Sequence, residues 1–381
     1  MTLETLFSPK KIGNVQIKNR IVRSATFMNI TEKYGYIGDK FIERYDILAQ
    51  GGTGLIITEA TAVDPSGSGG PYQACLFDDS HNPGHIKLVN KVHEYSETKI
   101  GIQLVHTGRL GYHPKYPTVA PSPIHSESTG ITPRELTTEE INEFIQKFVS
   151  SGIRAYECGY DMVQLHAAHG YFLCNFLSPF TNKRNDEFGG SIQNKTKILT
   201  DIYNGLRDEI GKKFPILIKL QVVDAIPNGL IEEEGIKLAK ILAEAGFDAI
   251  EPSGGSRDSQ MFERNALPSK VVKKPEDENY FLPIAKKIKP LLKNCALILV
   301  GGIRNPLLAE KILQDNEVDF ISLSRPLIYE PELPNRWQKG DTTPTKCISC
   351  NSCFTIMEKG IPVYCVTKKN LEKQGNSKTV L

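Results

Sequence analysis

Eight short runs of β-branched and apolar residues punctuate the chain, and their spacing limits the fold more than any other feature. They are "RIVRSAT" (20–26), "GLIITEA" (54–60), "KIGIQLVH" (99–106), "DMVQLHA" (161–167), "PILIKLQ" (215–221), "FDAIEPSGG" (247–255), "ALILVGG" (296–302) and "DFISLSR" (319–325). Their apolarity is continuous rather than alternating, which predicts strands buried on both faces, as in a parallel sheet. Amphipathic stretches of helical period lie between them, among them 39–52, 137–159, 194–211 and 231–246, and the last two end in glycine. Eight strands alternating with helices predict an α/β fold, a (β/α)8 TIM barrel. A doubly wound open sheet is the competing architecture, but no G-x-G-x-x-G turn follows the first strand. With 381 residues, 40% of them hydrophobic, the chain has ample material for such a core.

Polar residues gather at the C-terminal ends of these runs: Thr26, Gln103, His106, His166, Lys219, Gly302 and Arg325. Barrel enzymes build their active sites on that face. Two long connections, 108–137 and 171–193, are expected as lids over it. The barrel is expected over residues 1–340, with a Cys-rich tail at 341–381. A net charge of +2 gives no reason to expect nucleic acid or an anionic membrane as partner. The N-terminal stretch lacks the apolar core of a signal peptide, no apolar run is long enough for a membrane span, and a cytoplasmic protein is expected. Nothing in the sequence decides for or against a homo-oligomer.

The stretch "HAAHGYF" (166–172) crowds two imidazoles and a phenol at one strand end. A lone histidine there is more often structural, whereas three such groups together suggest catalysis. "LVGGI" (299–303) and "LSRPL" (323–327) pair a Gly-Gly turn with an arginine, a combination suited to a phosphate. Gln103 and Lys219 offer an amide and a cation that suit a flavin ring, although each is also explicable as a structural hydrogen bond or ion pair.

Together the motifs "LFSPKKIGNVQIKNRIVRSA", "GLIITEATAV", "IGIQLVHTGR", "HAAHGYFLCNFLSPFTNKRNDEFGGS", "GGI" and "SRPL" resemble the old yellow enzyme family, FMN-dependent and NAD(P)H-using ene-reductases. The resemblance spans about residues 5–335. It implies that Ala25, Thr26, Phe27, Ala60 and Gln103 lie against the flavin, with Lys219 beside N1. Gly301, Gly302, Ser324 and Arg325 would hold the phosphate, although the family more often has glycine in place of Ser324. His166 and His169 would grip an oxygen of the substrate, and Tyr171 would donate a proton. The implied reaction is reduction of an activated C=C bond in a small α,β-unsaturated carbonyl compound. One departure concerns the redox-tuning Cys or Thr of the family, whose position here is Phe27 with Thr26 just before it.

Cys347, Cys350, Cys353 and Cys365 follow the pattern C-x2-C-x2-C-x11-C, which suits a [4Fe–4S] cluster, zinc or free thiols. Larger relatives of the 2,4-dienoyl-CoA reductase type carry a [4Fe–4S] cluster just after the barrel, with a second gap one residue longer. Two other functions fit parts of the sequence. One is a phosphate-binding barrel lyase or aldolase with Lys219 as Schiff-base nucleophile. The other is a barrel that binds flavin without turnover.

Overall fold

The computed structural model describes residues 2–111, 113–263, 266 and 268–377. Eight parallel strands close into a barrel: β1 (Ile21–Arg23), β2 (Leu55–Ala62), β3 (Lys99–Val105), β4 (Met162–Ala167), β5 (Ile216–Val223), β6 (Ala249–Gly254), β7 (Ala296–Val300) and β8 (Phe320–Leu323). Each pairs with its sequence neighbour, and β8 returns to β1 through Ile321↔Ile21 to Leu323↔Arg23. Every run read as a strand is one, so the TIM barrel holds.

Seven helices of the βα connections surround it: α1 (Asp39–Gln50), α2 (Asn82–His93), α3 (Thr138–Glu157), α4 (Ile192–Ile210), α5 (Glu232–Ala245), α6 (Leu282–Ile288) and α7 (Pro306–Gln314). Helix α3 shows how the sequence sets an element. The Thr137 hydroxyl accepts from the Glu140 N–H, and the Glu140 carboxylate accepts from the Thr137 N–H, closing a capping box. Such a cap contributes about 1 kcal/mol. Beyond it, Ile141, Phe144, Ile145, Phe148, Val149 and Ala155 form the buried stripe. Helices α4 and α5 end at Gly211 and Gly246, whose φ values of +85° and +109° favour glycine.

A hairpin, Lys10–Ile12 paired with Val15–Ile17, plugs the floor of the barrel. Its Ile12 and Ile17 join Val22, Leu55, Ile57, Met162, Leu217, Ile298 and Phe320 in an apolar cluster. The interior is therefore a packed core, and ligand space is confined to the opposite end.

The two long connections are less lid-like than expected. The second opens with a wholly buried helix, Phe172–Leu177. Arg184 then donates to the carbonyls of Pro121 and Leu136, 3.1 and 2.6 Å away, and ties the two connections together. Arg109 in the first forms a buried ion pair with Asp258 beyond β6. No helix among the described residues is long and apolar enough to cross a membrane.

Candidate active site

Strand β4 ends in His166 and Ala167, and the turn after it reverses sharply. His169 takes φ +64° and Gly170 φ +77°. The reversal brings the His169 ring edge-on to His166, with centroids 5.0 Å apart at 90°. The Tyr171 ring meets His166 at 5.0 Å and 83°. His169 is anchored twice: its N–H donates to Gln221 Oε1 at 2.8 Å, and Nε2 bonds Ser253 Oγ at 2.8 Å. His166 Nδ1 is buried with no partner within the protein. A buried ring nitrogen in that state is costly unless a ligand or water satisfies it.

Burial, reinforced by the nearby Lys219 charge, pushes His166 down to about 3. Burial, His166 and Lys219 hold His169 well below its ordinary value. Both imidazoles are thus neutral near pH 7, each with one N–H to give. Burial raises the Tyr171 phenol, against a smaller opposing pull from Arg257, so it stays protonated. The three side chains line a cavity of about 270 Å³ with Ala25, Thr26, Phe27, Ala60, Gln103 and Lys219. The structure therefore brings together the polar cluster and the residues expected against a flavin ring.

Beneath them lies a buried polar network centred on Glu251 of β6. Its carboxylate sits 2.8 Å from Lys219 Nζ and accepts from Gln164 Nε2 at 3.0 Å. Ser24 Oγ and Ser322 Oγ each donate to it at 2.9 Å. Gln164 in turn accepts from Gln103 Nε2 at 2.7 Å, and Lys219 also donates to Ser24 Oγ at 3.0 Å. Burial alone would raise the Glu251 carboxyl, but Lys219 and the hydrogen bonds outweigh it and hold the group below its usual value. One carboxylate thus positions both Gln103 and Lys219.

A second pocket, of about 80 Å³, contains Gly301, Gly302, Ser324 and Arg325. The two glycines take φ +115° and +75°, and a Cβ on either would come within 2.7 or 2.9 Å of the Tyr280 ring. Thr26 Oγ1 donates to the Ser24 carbonyl at 2.9 Å and bonds Ser324 Oγ at 2.8 Å. The serine that departs from the family's glycine is therefore in use. Both Thr26 and Phe27 line the larger cavity. The two pockets share Ala25, His169, Lys219, Pro268, Ser269 and Ser324, so they adjoin in one recess. A ligand with a flat ring at one end and a phosphate at the other matches its shape and donors.

Residues 5–343 match the NADH:flavin oxidoreductase / NADH oxidase family. The chain belongs to that family. It is 36% identical over 351 residues to an NADH oxidase of Thermoanaerobacter brockii, covering 91% of this chain and 52% of the relative. An NADPH dehydrogenase of Bacillus velezensis is 36% identical over 327 residues, covering 86% of this chain and 92% of the relative. The fold superposes on a 2-naphthoyl-CoA reductase in complex with 2-naphthoyl-CoA with a TM-score of 0.88 at 28% identity, covering 96% of this chain and 57% of that one. The chain thus spans about half the length of some relatives and nearly all of others. The family implies FMN and NAD(P)H, and the two adjoining pockets fit the first of these.

Beyond the region matched to the flavin oxidoreductase family, the chain folds back across the barrel mouth. Cys347, Cys350, Cys353 and Cys365 line one small pocket with Arg325, and all four are free thiols. Burial raises the Cys347 and Cys353 thiols, against smaller opposing pulls from a Ser349 backbone hydrogen bond on the first and the Arg325 charge on both. Burial also acts to raise Cys350, but hydrogen bonds with Ser352 and Thr367 leave it below its usual value. No group of three or more Cys, His, Asp or Glu side chains among the described residues is gathered closely enough for a metal ion. The sequence reading missed Glu251, Gln164, Ser24 and Arg257. Glu251 left a signal, a lone acid within the apolar run "FDAIEPSGG".

Proposed function

We propose that this chain binds FMN and uses NAD(P)H to reduce an alkene conjugated to a carbonyl group. The observation that carries the reading is the pair of imidazoles packed edge-on beside a phenol in one cavity, with one imidazole nitrogen buried without a partner. FMN, held by Gln103, Lys219, Gly301, Gly302, Ser324 and Arg325, would supply the hydride chemistry once reduced by NAD(P)H. His166 and His169 donate hydrogen bonds to the carbonyl oxygen, where negative charge develops as the hydride adds. Tyr171 delivers its proton to the α-carbon, which completes the addition of two hydrogens across the double bond. Lys219 and Gln103, held by Glu251 and Gln164, orient the ring of the cofactor. Gly301, Gly302, Ser324 and Arg325 receive its phosphate.

The deciding experiment is anaerobic. Enzyme reduced with one equivalent of NADPH is mixed with 2-cyclohexenone, and flavin absorbance should return as cyclohexanone forms. Flavin that stays reduced with 2-cyclohexenone and reoxidises only when air is admitted would make it an oxidase instead. The phosphate assignment has its own test. Arg325→Ala should weaken FMN binding by about tenfold or more, since a charged hydrogen bond contributes about 1.5–3 kcal/mol. Its effect on kcat of the flavin-saturated enzyme should be smaller, because a remote phosphate contact binds ground and transition states alike. Titration of flavin-stripped protein with FMN reads the first quantity.

For the tail we propose a [4Fe–4S] cluster on the four cysteines, supported by their spacing and their common pocket. A single zinc ion needs every sulfur about 2.3 Å from one point, whereas a cluster spreads its thiolates over a cube.

A further inference from the structure

Cys347, Cys350 and Cys365 flank a short helix, Ser352–Glu358, which carries Cys353 and reaches the catalytic cavity. Residues at i, i+3 and i+4 share one helix face, and here these are Phe354, Met357 and Glu358. All three line the cavity that holds His166, His169 and Tyr171. Met357 and Glu358 also line an adjoining chamber of about 400 Å³, which further shares Phe27, Ala60, Leu110, Tyr171 and Arg257 with the first.

The helix is seated at both ends. Before it, Asn351 takes φ +64°, and its side-chain amide donates to the Ser269 carbonyl at 2.7 Å. Arg325 donates to the Ser349 carbonyl at 3.0 Å and to Asn351 Oδ1. After it, the Val363 N–H donates to the Met28 carbonyl at 2.8 Å. Met28, Ile328 and Val363 form a small apolar cluster against which Cys353, Met357 and Cys365 pack. Met28 follows Phe27 directly, so the tail leans on the strand end that lines the cavity.

We propose that Phe354 and Met357 are specificity-determining residues, the apolar wall that receives the substituent carried by a conjugated carbonyl substrate. The inference rests on the carbonyl-binding reading of the same site. The polar donors come from β4 and its following turn, whereas the tail helix contributes a ring and a thioether. An aromatic face and an adaptable methionine favour a ring-sized apolar substituent over a bare short chain. The Cys-bearing segment is on this account part of the substrate site, whatever its thiols hold.

The test uses two unreactive ligands, phenol and 4-phenylphenol, titrated into the FMN-loaded full chain by their effect on flavin absorbance. Each offers its oxygen to the same two imidazoles, and only the second carries an extra ring. Met357→Ala and Phe354→Ala should weaken 4-phenylphenol about tenfold, the usual scale for lost apolar contact in a pocket. Phenol should change less than about twofold, and Met357→Leu should restore the wild-type ratio. If Phe354→Ala does not fold, Phe354→Leu takes its place, with a smaller loss of the same sign. An unchanged affinity ratio in folded, flavin-loaded Met357→Ala and Phe354 variants would overturn the proposal. Wild-type protein that binds neither phenol would instead overturn the carbonyl-site reading, and this wall with it.

Discussion

Tyr171→Phe should cut the rate at which an enone reoxidises the reduced flavin by about 10²–10⁴-fold, the usual consequence of losing a general acid. Reduction by NAD(P)H needs no proton from this phenol and should stay within a few-fold of normal. The asymmetry follows from the geometry. Tyr171 packs edge-on against His166 in the pocket, and burial raises its pKa, so it keeps its proton until a carbanion forms beside it. Replacing OH by H leaves the ring and its packing in place. Stopped-flow traces separate the two half-reactions, and equal slowing of both would remove Tyr171 from the proton-donor role.

Glu251→Ala should destabilise the flavin-free protein by about 3–5 kcal/mol, the cost of leaving one partner of a buried ion pair uncompensated. Lys219 and Glu251 are 4% and 0% exposed, so neither charge has water to fall back on. The double change Lys219→Met with Glu251→Leu should cost less than the single loss, because a buried pair replaced by apolar groups of similar volume is often close to neutral. Urea unfolding of wild type and the two variants gives the answer, and a double variant less stable than Glu251→Ala would show that the pair is not coupled. The pH dependence has a definite sign. The carboxyl's folded pKa lies below its unfolded value of about 4.3, so its contribution is full at neutral pH. That contribution is lost as pH falls through the folded pKa. The gap between wild type and Glu251→Ala should therefore shrink in acid.

The barrel was legible because parallel strands buried on both faces need continuous apolar runs, and all eight stood out. Three helices of the ring, α2, α6 and α7, were not singled out in the sequence. Each begins with proline at its first or second position, which reads as a break although it suits a helix start. His166, His169 and Tyr171 sit within six residues, so one turn brings them together and the sequence displays them. Glu251 and Gln164 act through side chains from different strands. Only barrel closure brings them to Lys219 and Gln103. Phe354 and Met357 were hidden for another reason: the cysteines around them drew attention to metal chemistry, and nothing local reveals that this segment folds over the mouth.

Arg325 is aimed by three acceptors, the Lys270 carbonyl within the β6–α6 connection and two atoms of the tail, on Ser349 and Asn351. A ribosome makes the chain from its N-terminus, so the barrel strands and the arginine itself emerge before those two atoms exist. On the reading given above, the phosphate seat is finished only after residue 351 has been added. A nascent barrel would then have a poor grip on FMN, and cofactor loading would be a late step of maturation.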